Sequence, residues 1–241
     1  MTMNKISKLM LFIMIVIATV TVHAQTGADQ NLSTKQQAIV RIAALTGRGS
    51  LEQLKEELNA GLEAGLTVNQ IKEVIVHVYA YAGFPRSIRG LQTFMTVLDE
   101  RKSKGVNDVM GNEASPIEDD SSKYDRGKAI LDTLLDSPQR GPQTGYSSFA
   151  PVIEIFLKEH LFADIFERDV LTYKERELVT VSVLAAIGGV EPMLQSHLKI
   201  CLNVGLTADQ LQQYVGIIKT SIGKKEANSA KSVLNGVLKN K

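Results

Sequence analysis

The amino-acid sequence predicts an all-α protein built from two related helical units. Two stretches place a leucine at every fourth residue: Leu54, Leu58 and Leu62, and again Leu194, Leu198 and Leu202. This spacing lines one face of a helix and not one face of a strand. The heptapeptide GLTVNQI at residues 65–71 returns as GLTADQL at residues 205–211. Such self-similarity indicates that one structural unit has been duplicated.

Matching signals for helix ends support both units. Gly65 and Gly205 suit the left-handed residue that terminates a helix. A Ser or Thr followed three residues later by Gln or Glu forms a capping box, which begins a helix. Four such pairs stand at matching points of the two units: Ser33 with Gln36, Thr67 with Gln70, Thr172 with Glu175, and Thr207 with Gln210.

These signals predict four helices in each unit. In the first unit we expect them at residues 33–47, 50–64, 68–83 and 85–102. In the second unit we expect them at residues 173–187, 191–204, 208–222 and 224–239. Residues 103–146 are rich in Gly, Pro, Ser and Asp, which predicts a linker. We expect one short helix inside it, near residues 123–135, and an amphipathic leading helix over residues 147–166.

The first 24 residues have the features of a secretory signal peptide. Lys5 and Lys8 precede an apolar run from Leu9 to Val22, and Ala24 ends a cleavage-type sequence. The run is shorter than the roughly 20 apolar residues that span a bilayer, which favours a cleaved signal over an anchor. We therefore expect an exported protein, periplasmic or secreted, with no stable membrane insertion after cleavage.

Composition excludes several function classes. Lys and Arg number 27 against 26 for Asp and Glu, so the net charge of +1 gives no long-range attraction to nucleic acid. A small molecule is the expected partner. Cys201 is the only cysteine, so no internal disulfide forms, and we expect it to be buried. His77, His160 and His197 are too far apart in sequence to form a metal motif, so we expect no metal site.

Parts of both units resemble the carboxymuconolactone decarboxylase family of the AhpD-like superfamily. The second unit carries the resemblance at FADIFER (162–168), LTYKERELV (171–179), Gly188-Gly189, His197 and NVGLT (203–207). The first unit carries it at EVIVH (73–77) and YAGFP (81–85). The resemblance implies repeats at residues 32–102 and 147–239. It also implies that two tandem AhpD-like repeats pack as a pseudo-dimer, and that the chain associates further, with a trimer favoured.

The second repeat keeps an acid and a histidine that the first repeat has lost. Glu177 and His197 stand where the first repeat has Ala38 and Glu57. The resemblance implies that Glu177 faces His197 as base or orienter, and that the imidazole carries the proton. From the residues alone, Glu177 equally suits the first turn of a helix, and His197 suits a hydrogen-bonded core position.

The first repeat keeps the complementary half. His77 and Tyr81 stand where the second repeat has Ile217 and Ser221. Together with Glu73 they are spaced by four residues on one helical face. This stripe is either a buried polar ladder that satisfies itself or the second wall of a pocket. We predict that the four catalytic candidates, His77, Tyr81, Glu177 and His197, lie around one cavity, either within each protomer or across a subunit contact.

The resemblance implies a cofactor-free lyase that acts by proton transfer on a small organic acid or lactone. Two alternatives remain open: a peroxiredoxin-like redox protein that uses the Cys201 thiol, and a binding protein that kept only the fold. Peroxide-reducing members of the superfamily use a Cys-x-x-Cys pair, but Val190 and Met193 stand at those positions here. A dithiol mechanism within one chain is therefore excluded. The cations available for an anionic substrate are Arg86, Arg89 and Lys174.

Overall fold

The structure is a computed structural model that describes residues 30–138, 141 and 143–239, so the predicted signal peptide lies outside it. In these residues the chain is helical and contains no strand. The helices are α1 (Thr34–Arg48), α2 (Leu51–Glu63), α3 (Val68–Ser103), α4 (Lys123–Leu135), α5 (Gly145–Phe149), α6 (Pro151–Phe156), the π-helical segment Leu157–Phe166, α7 (Tyr173–Ile187), α8 (Glu191–Asn203), α9 (Ala208–Ser221) and α10 (Lys224–Lys239). None of the described helices is long and apolar enough to cross a membrane.

Local sequence determines where most of these helices begin and end. All four predicted capping boxes form, at the starts of α1, α3, α7 and α9. Each box satisfies two backbone N–H groups that otherwise have no partner at a helix start. Gly65 and Gly205 both adopt positive φ angles, 88° and 90°, and each lies two residues after the end of a helix, α2 or α8. The same local signals therefore build the same helical hairpin in each repeat.

Helix α3 reverses direction at Gly83, which has non-helical φ and ψ of 79° and 163°. Pro85 follows and has no backbone N–H to continue the helical ladder. The Ser87 hydroxyl donates a hydrogen bond of 2.7 Å to the carbonyl of Ile75. In a straight helix, residues this far apart would be separated by roughly 18 Å. The two halves of α3 therefore fold back on each other, in agreement with the two separate helices that the sequence predicts.

The two repeats share one hydrophobic core, with α1 packed against α7 at its centre. Ile39 and Ile42 from α1 and Val179 and Val183 from α7 are fully buried in it. Contact is so close that a Cβ added at Gly47 would lie 2.8 Å from Cγ2 of Val183. The prediction of an all-α fold with two tandem repeats packed as a pseudo-dimer is confirmed.

The helix predicted within the linker contributes to a second core beside the first. Leu134 of α4 is fully buried there, against Leu161 and Phe166 of the π-helical segment. A Cβ at Gly127 would lie 1.8 Å from the carbonyl oxygen of Lys158, so only glycine allows this approach. We expected one amphipathic helix over residues 147–166; it is divided into α5, α6 and the π-helical segment.

Candidate active site

Glu177 and His197 form a hydrogen-bonded pair within the second repeat. Helices α7 and α8 place Nδ1 of His197 2.9 Å from Oε2 of Glu177. The Glu177 side chain is fully buried, and the His197 side chain keeps 13% of its surface exposed. A carboxylate only accepts hydrogen bonds, so Nδ1 of His197 carries the proton of this bond. The second ring nitrogen, Nε2, is then the one available for chemistry.

A chain of hydrogen bonds connects Arg176 of α7 to His77 and Tyr81 of α3. Arg176 donates to Nδ1 of His77 at 3.2 Å, which fixes the imidazole proton on Nε2. That nitrogen donates to Oγ1 of Thr180 at 2.9 Å. The Thr180 hydroxyl in turn lies 3.2 Å from the Tyr81 hydroxyl and 3.0 Å from the carbonyl of Arg176. Residues of the first repeat are therefore positioned by residues of the second.

The buried charge of Arg176 is balanced within the same cluster. Its guanidinium has no exposed surface and donates to Oε1 of Glu73 at 2.8 Å and to the carbonyl of Arg168. Glu73 also accepts from Arg168, at 2.9 to 3.2 Å. Buried ions persist in proteins only when they are paired in this way.

Burial and the neighbouring charges make His77 and Tyr81 neutral. Burial lowers the pKa of His77 well below its ordinary value, and the Arg176 cation lowers it further. Burial also raises the pKa of Tyr81, with a further contribution from the Glu177 carboxylate. Tyr81 thus retains its phenolic proton at all physiological pH values and is able to donate it in a hydrogen bond to a ligand.

A cavity of about 520 Å³ opens directly onto Tyr81 and His197. The two rings meet edge to face, with their centroids 5.9 Å apart. The other lining residues are Ala80, Leu131, Leu135, Tyr146, Ser147, Glu154, Leu157, Leu161, Phe162, Leu184, Pro192, Met193, Ser196 and Ile200. Linker helix α4, the α5–α6 segment and the π-helical segment therefore form one wall, opposite the two repeats.

The fold brings the four predicted site residues together. His197 and Tyr81 line the cavity. Glu177 lies behind His197, and His77 lies behind Tyr81 with a ring-centroid distance of 5.7 Å. This is the composite arrangement expected from the complementary repeats. The catalytic role of the four residues stays a prediction.

Two members of the cluster, Arg176 and Thr180, were missed at the sequence level. The signal for Arg176 was available: a cation in the first turn of a helix opposes the helix dipole, so it needs a specific partner. Glu73 on the polar stripe of α3 is that partner. Thr180 gave no comparable signal, because a threonine between apolar residues of α7 is unremarkable in sequence.

The cations suggested for an anionic substrate do not line the cavity. Arg86 lies against Gly49, where an added Cβ would meet its Nη1 atom. Arg89 donates to Gln92 at 2.7 Å, and Lys174 lies beside Gly205. Among the described residues, no group of three or more His, Cys, Asp or Glu side chains could hold a metal ion.

Cys201 is fully buried, as expected. Burial raises the pKa of its thiol well above the ordinary value, and the Glu177 carboxylate raises it further. The thiolate is the reactive form of cysteine, so this environment opposes thiol chemistry.

The residues that correspond to the site in the opposite repeat differ from the site residues. Ala38 and Ile217 are buried there, without polar groups in their side chains. Glu57 faces Arg41 at 3.8 Å, and both side chains are about one-third exposed, 30% and 31%. Each chain therefore carries one complete set of the predicted site residues.

A sequence profile of known proteins matches both repeats. The profile is that of the carboxymuconolactone decarboxylase family, and it matches residues 17–94 and 153–235, more than half of the chain. The chain belongs to the carboxymuconolactone decarboxylase family. Membership in this family supports a decarboxylase-like or AhpD-superfamily role in the broad sense.

Individual relatives are distant. The chain is 26% identical to 4-carboxymuconolactone decarboxylase of Acinetobacter baylyi over 121 residues, which cover 50% of this chain and 90% of that protein. It is 25% identical to an uncharacterised protein of Methanocaldococcus jannaschii over 84 residues, or 35% of this chain and 78% of that protein. Each match covers only part of this chain, in keeping with its two repeats.

Proposed function

We propose that the protein is a cofactor-free acid–base enzyme of the decarboxylase or lactone-processing type. The observation that carries the proposal is the Glu177–His197 pair, 2.9 Å apart, beside a cavity that also contacts Tyr81. Glu177 orients the imidazole and stabilises its protonated form, and Nε2 exchanges the proton with the substrate. The name of the Acinetobacter relative supports decarboxylation of a lactone as the reaction type.

Tyr81 provides the second element of the mechanism. In the proposed state, the Thr180 proton is donated to the Tyr81 oxygen, which leaves the phenolic proton for the substrate. A donor fixed in this position stabilises the negative charge that develops on a carbonyl oxygen when an enolate forms. His77 and Arg176 hold Thr180 in the required orientation through the chain of hydrogen bonds.

The proton and electron balance of a decarboxylation is simple. The bond between the carboxylate and the ring carbon breaks, carbon dioxide leaves, and the electron pair is delocalised onto the enolate oxygen at Tyr81. Nε2 of protonated His197 then donates its proton to the extended enolate, and solvent restores the proton. For a lactone without a carboxylate, the same groups would abstract and return a proton beside the carbonyl.

Site variants test this assignment against a matched histidine control. His197→Ala and Glu177→Gln should each lower kcat/KM by about 10²-fold or more, the range for loss of a general acid or base. His160→Ala is the control, because His160 is half exposed and pairs with Asp164 away from the cavity lining. Turnover of a lactone panel is measured in D₂O, where deuterium incorporation reports proton transfer. Wild-type turnover in a destabilised His197→Ala protein would contradict the proposal.

A further inference from the structure

The cavity surface is mostly apolar, and its polar groups lie in two places: beside Tyr81 and His197 on the side of the repeats, and at Ser147 and Glu154 on the covering wall. Six aliphatic or aromatic side chains from the covering wall face it: Leu131, Leu135, Tyr146, Leu157, Leu161 and Phe162. Leu184, Pro192, Met193 and Ile200 continue the apolar surface on the side of the second repeat. His197, Tyr81 and Ser196 supply polar atoms. A ligand that matches this lining is apolar over most of its length and carries oxygen atoms at one end.

The charged side chain in the lining is already neutralised. Glu154 forms an ion pair with Lys158, and both side chains are largely buried. The Ser147 hydroxyl donates to the other Glu154 oxygen at 2.8 Å, and Lys158 also donates to the Tyr124 hydroxyl at 3.2 Å. Both charges therefore have their hydrogen-bonding partners within the protein, and this corner presents a balanced pair to a ligand.

The charged groups behind the cavity are paired with one another, although Nε of Arg176 and Oε1 of Glu177 are buried without a hydrogen-bond partner among the described residues. Arg176 and Arg168 share the Glu73 carboxylate, and Glu177 holds His197. A ligand carboxylate in the cavity would lie near the Glu177 charge, while the neighbouring guanidinium groups are committed to Glu73. Removing such a carboxylate from water without a dedicated partner is costly.

We infer that the substrate is an uncharged lactone with an apolar alkyl or aryl substituent, bound with its carbonyl at Tyr81 and His197 and its substituent against the apolar wall. This inference rests on the lactone-processing form of the proposed function, in which the site abstracts and returns a proton beside the carbonyl, because an uncharged lactone has no carboxylate to lose. Met193 and Tyr146 line the cavity and remain 49% and 58% exposed, so they mark its mouth. The apolar surface that they present at the mouth suits an apolar substituent. The substituent thus meets apolar surface from the mouth inward.

Two ligands with the same carbon skeleton provide the test. One is δ-decalactone, and the other is the hydroxydecanoate anion that results from opening its ring. Calorimetric titration of the wild-type protein at neutral pH should show the lactone binding at least about 30-fold more tightly, because only the anion must lose hydration of a charge. Ala80→Trp, which fills the cavity from an exposed position on α3, should abolish lactone binding.

A lysine introduced at the cavity mouth tests whether the missing cation is the reason that the lactone binds more tightly than the anion. Met193→Lys should improve hydroxydecanoate binding by about threefold relative to Met193→Gln, the gain expected for one partly exposed ion pair. Equal or tighter binding of the anion by the wild type, no binding of either ligand, or lactone binding that survives Ala80→Trp would overturn the inference. Abstraction and return of a proton leave the lactone unchanged, so the titration reports binding whether or not the protein is active. The results are therefore independent of the His197→Ala assay, and failure of either proposal is recognised separately.

Discussion

Stability should fall as the pH is lowered through the range in which an exposed histidine becomes protonated, because His77 resists protonation in the folded protein. His77 is fully buried. It accepts from Arg176 at one nitrogen and donates to Thr180 at the other. A second ring proton would therefore face a cation without an acceptor. In the unfolded chain the same histidine titrates near its ordinary value of 6.5.

The sign and size of the effect follow from proton linkage. Below pH 6.5 the unfolded chain binds a proton that the folded protein does not, so protonation stabilises the unfolded state. The free energy of unfolding should drop by about 1.4 kcal/mol between pH 7.5 and 5.5 from this residue alone. The loss continues at lower pH until the folded-state pKa of His77 is reached.

Urea denaturation at intervals between pH 7.5 and 5.5 measures this dependence, with His77→Gln as the control. The glutamine amide keeps one donor and one acceptor but does not titrate. The wild type should lose about 1.4 kcal/mol more than the variant over this range. The contributions of the other histidines to the pH dependence cancel in the comparison, since both proteins contain His160 and His197. Equal slopes for the two proteins would refute the buried, neutral state of His77.

Two further predictions concern groups outside the hydrogen-bond chain. Gly127→Ala should lower the free energy of unfolding by about 1–3 kcal/mol in urea denaturation, because the added methyl group overlaps the Lys158 carbonyl. An unchanged midpoint of urea denaturation would mean that α4 does not pack against the π-helical segment. The Cys201 thiol should react with Ellman's reagent on the order of 10²-fold more slowly in the native protein than in urea, because it is buried and protonated. Rapid reaction of the native protein would favour the redox alternative, as would a thiol-dependent peroxide turnover that is lost in Cys201→Ala.

Local patterns were sufficient to predict most of the helices. The Thr207 and Gln210 capping box is contained in four residues, and the side chains that form it are adjacent in any helical conformation. The family resemblance predicted the pairing of Glu177 with His197, because both residues lie in the same repeat. Their meeting with Tyr81 was predicted only from the complementary losses between repeats, since nothing in α3 itself specifies which helix faces it.

Other parts of the site depend on tertiary packing that no short pattern records. Thr180 of α7 contacts His77 and Tyr81 only because α3 packs against α7 at that position. The Glu154–Lys158 pair has the spacing of an ordinary exposed helical pair, yet the covering helix α4 buries it. The π-helical segment likewise replaces the regular helix that its amphipathic sequence favours.

The division of the proposed site between two fused repeats has a consequence for mutation if the proposed function holds. Two unfused copies related by a twofold axis would form two equivalent sites, so every catalytic residue would occur twice in the assembly. In this chain each occurs once, and the opposite position holds Ala38 and Ile217 instead. Under the proposed function, neither repeat supplies the residues that the other lacks, and the peptide linkage keeps the two unlike halves in a one-to-one ratio.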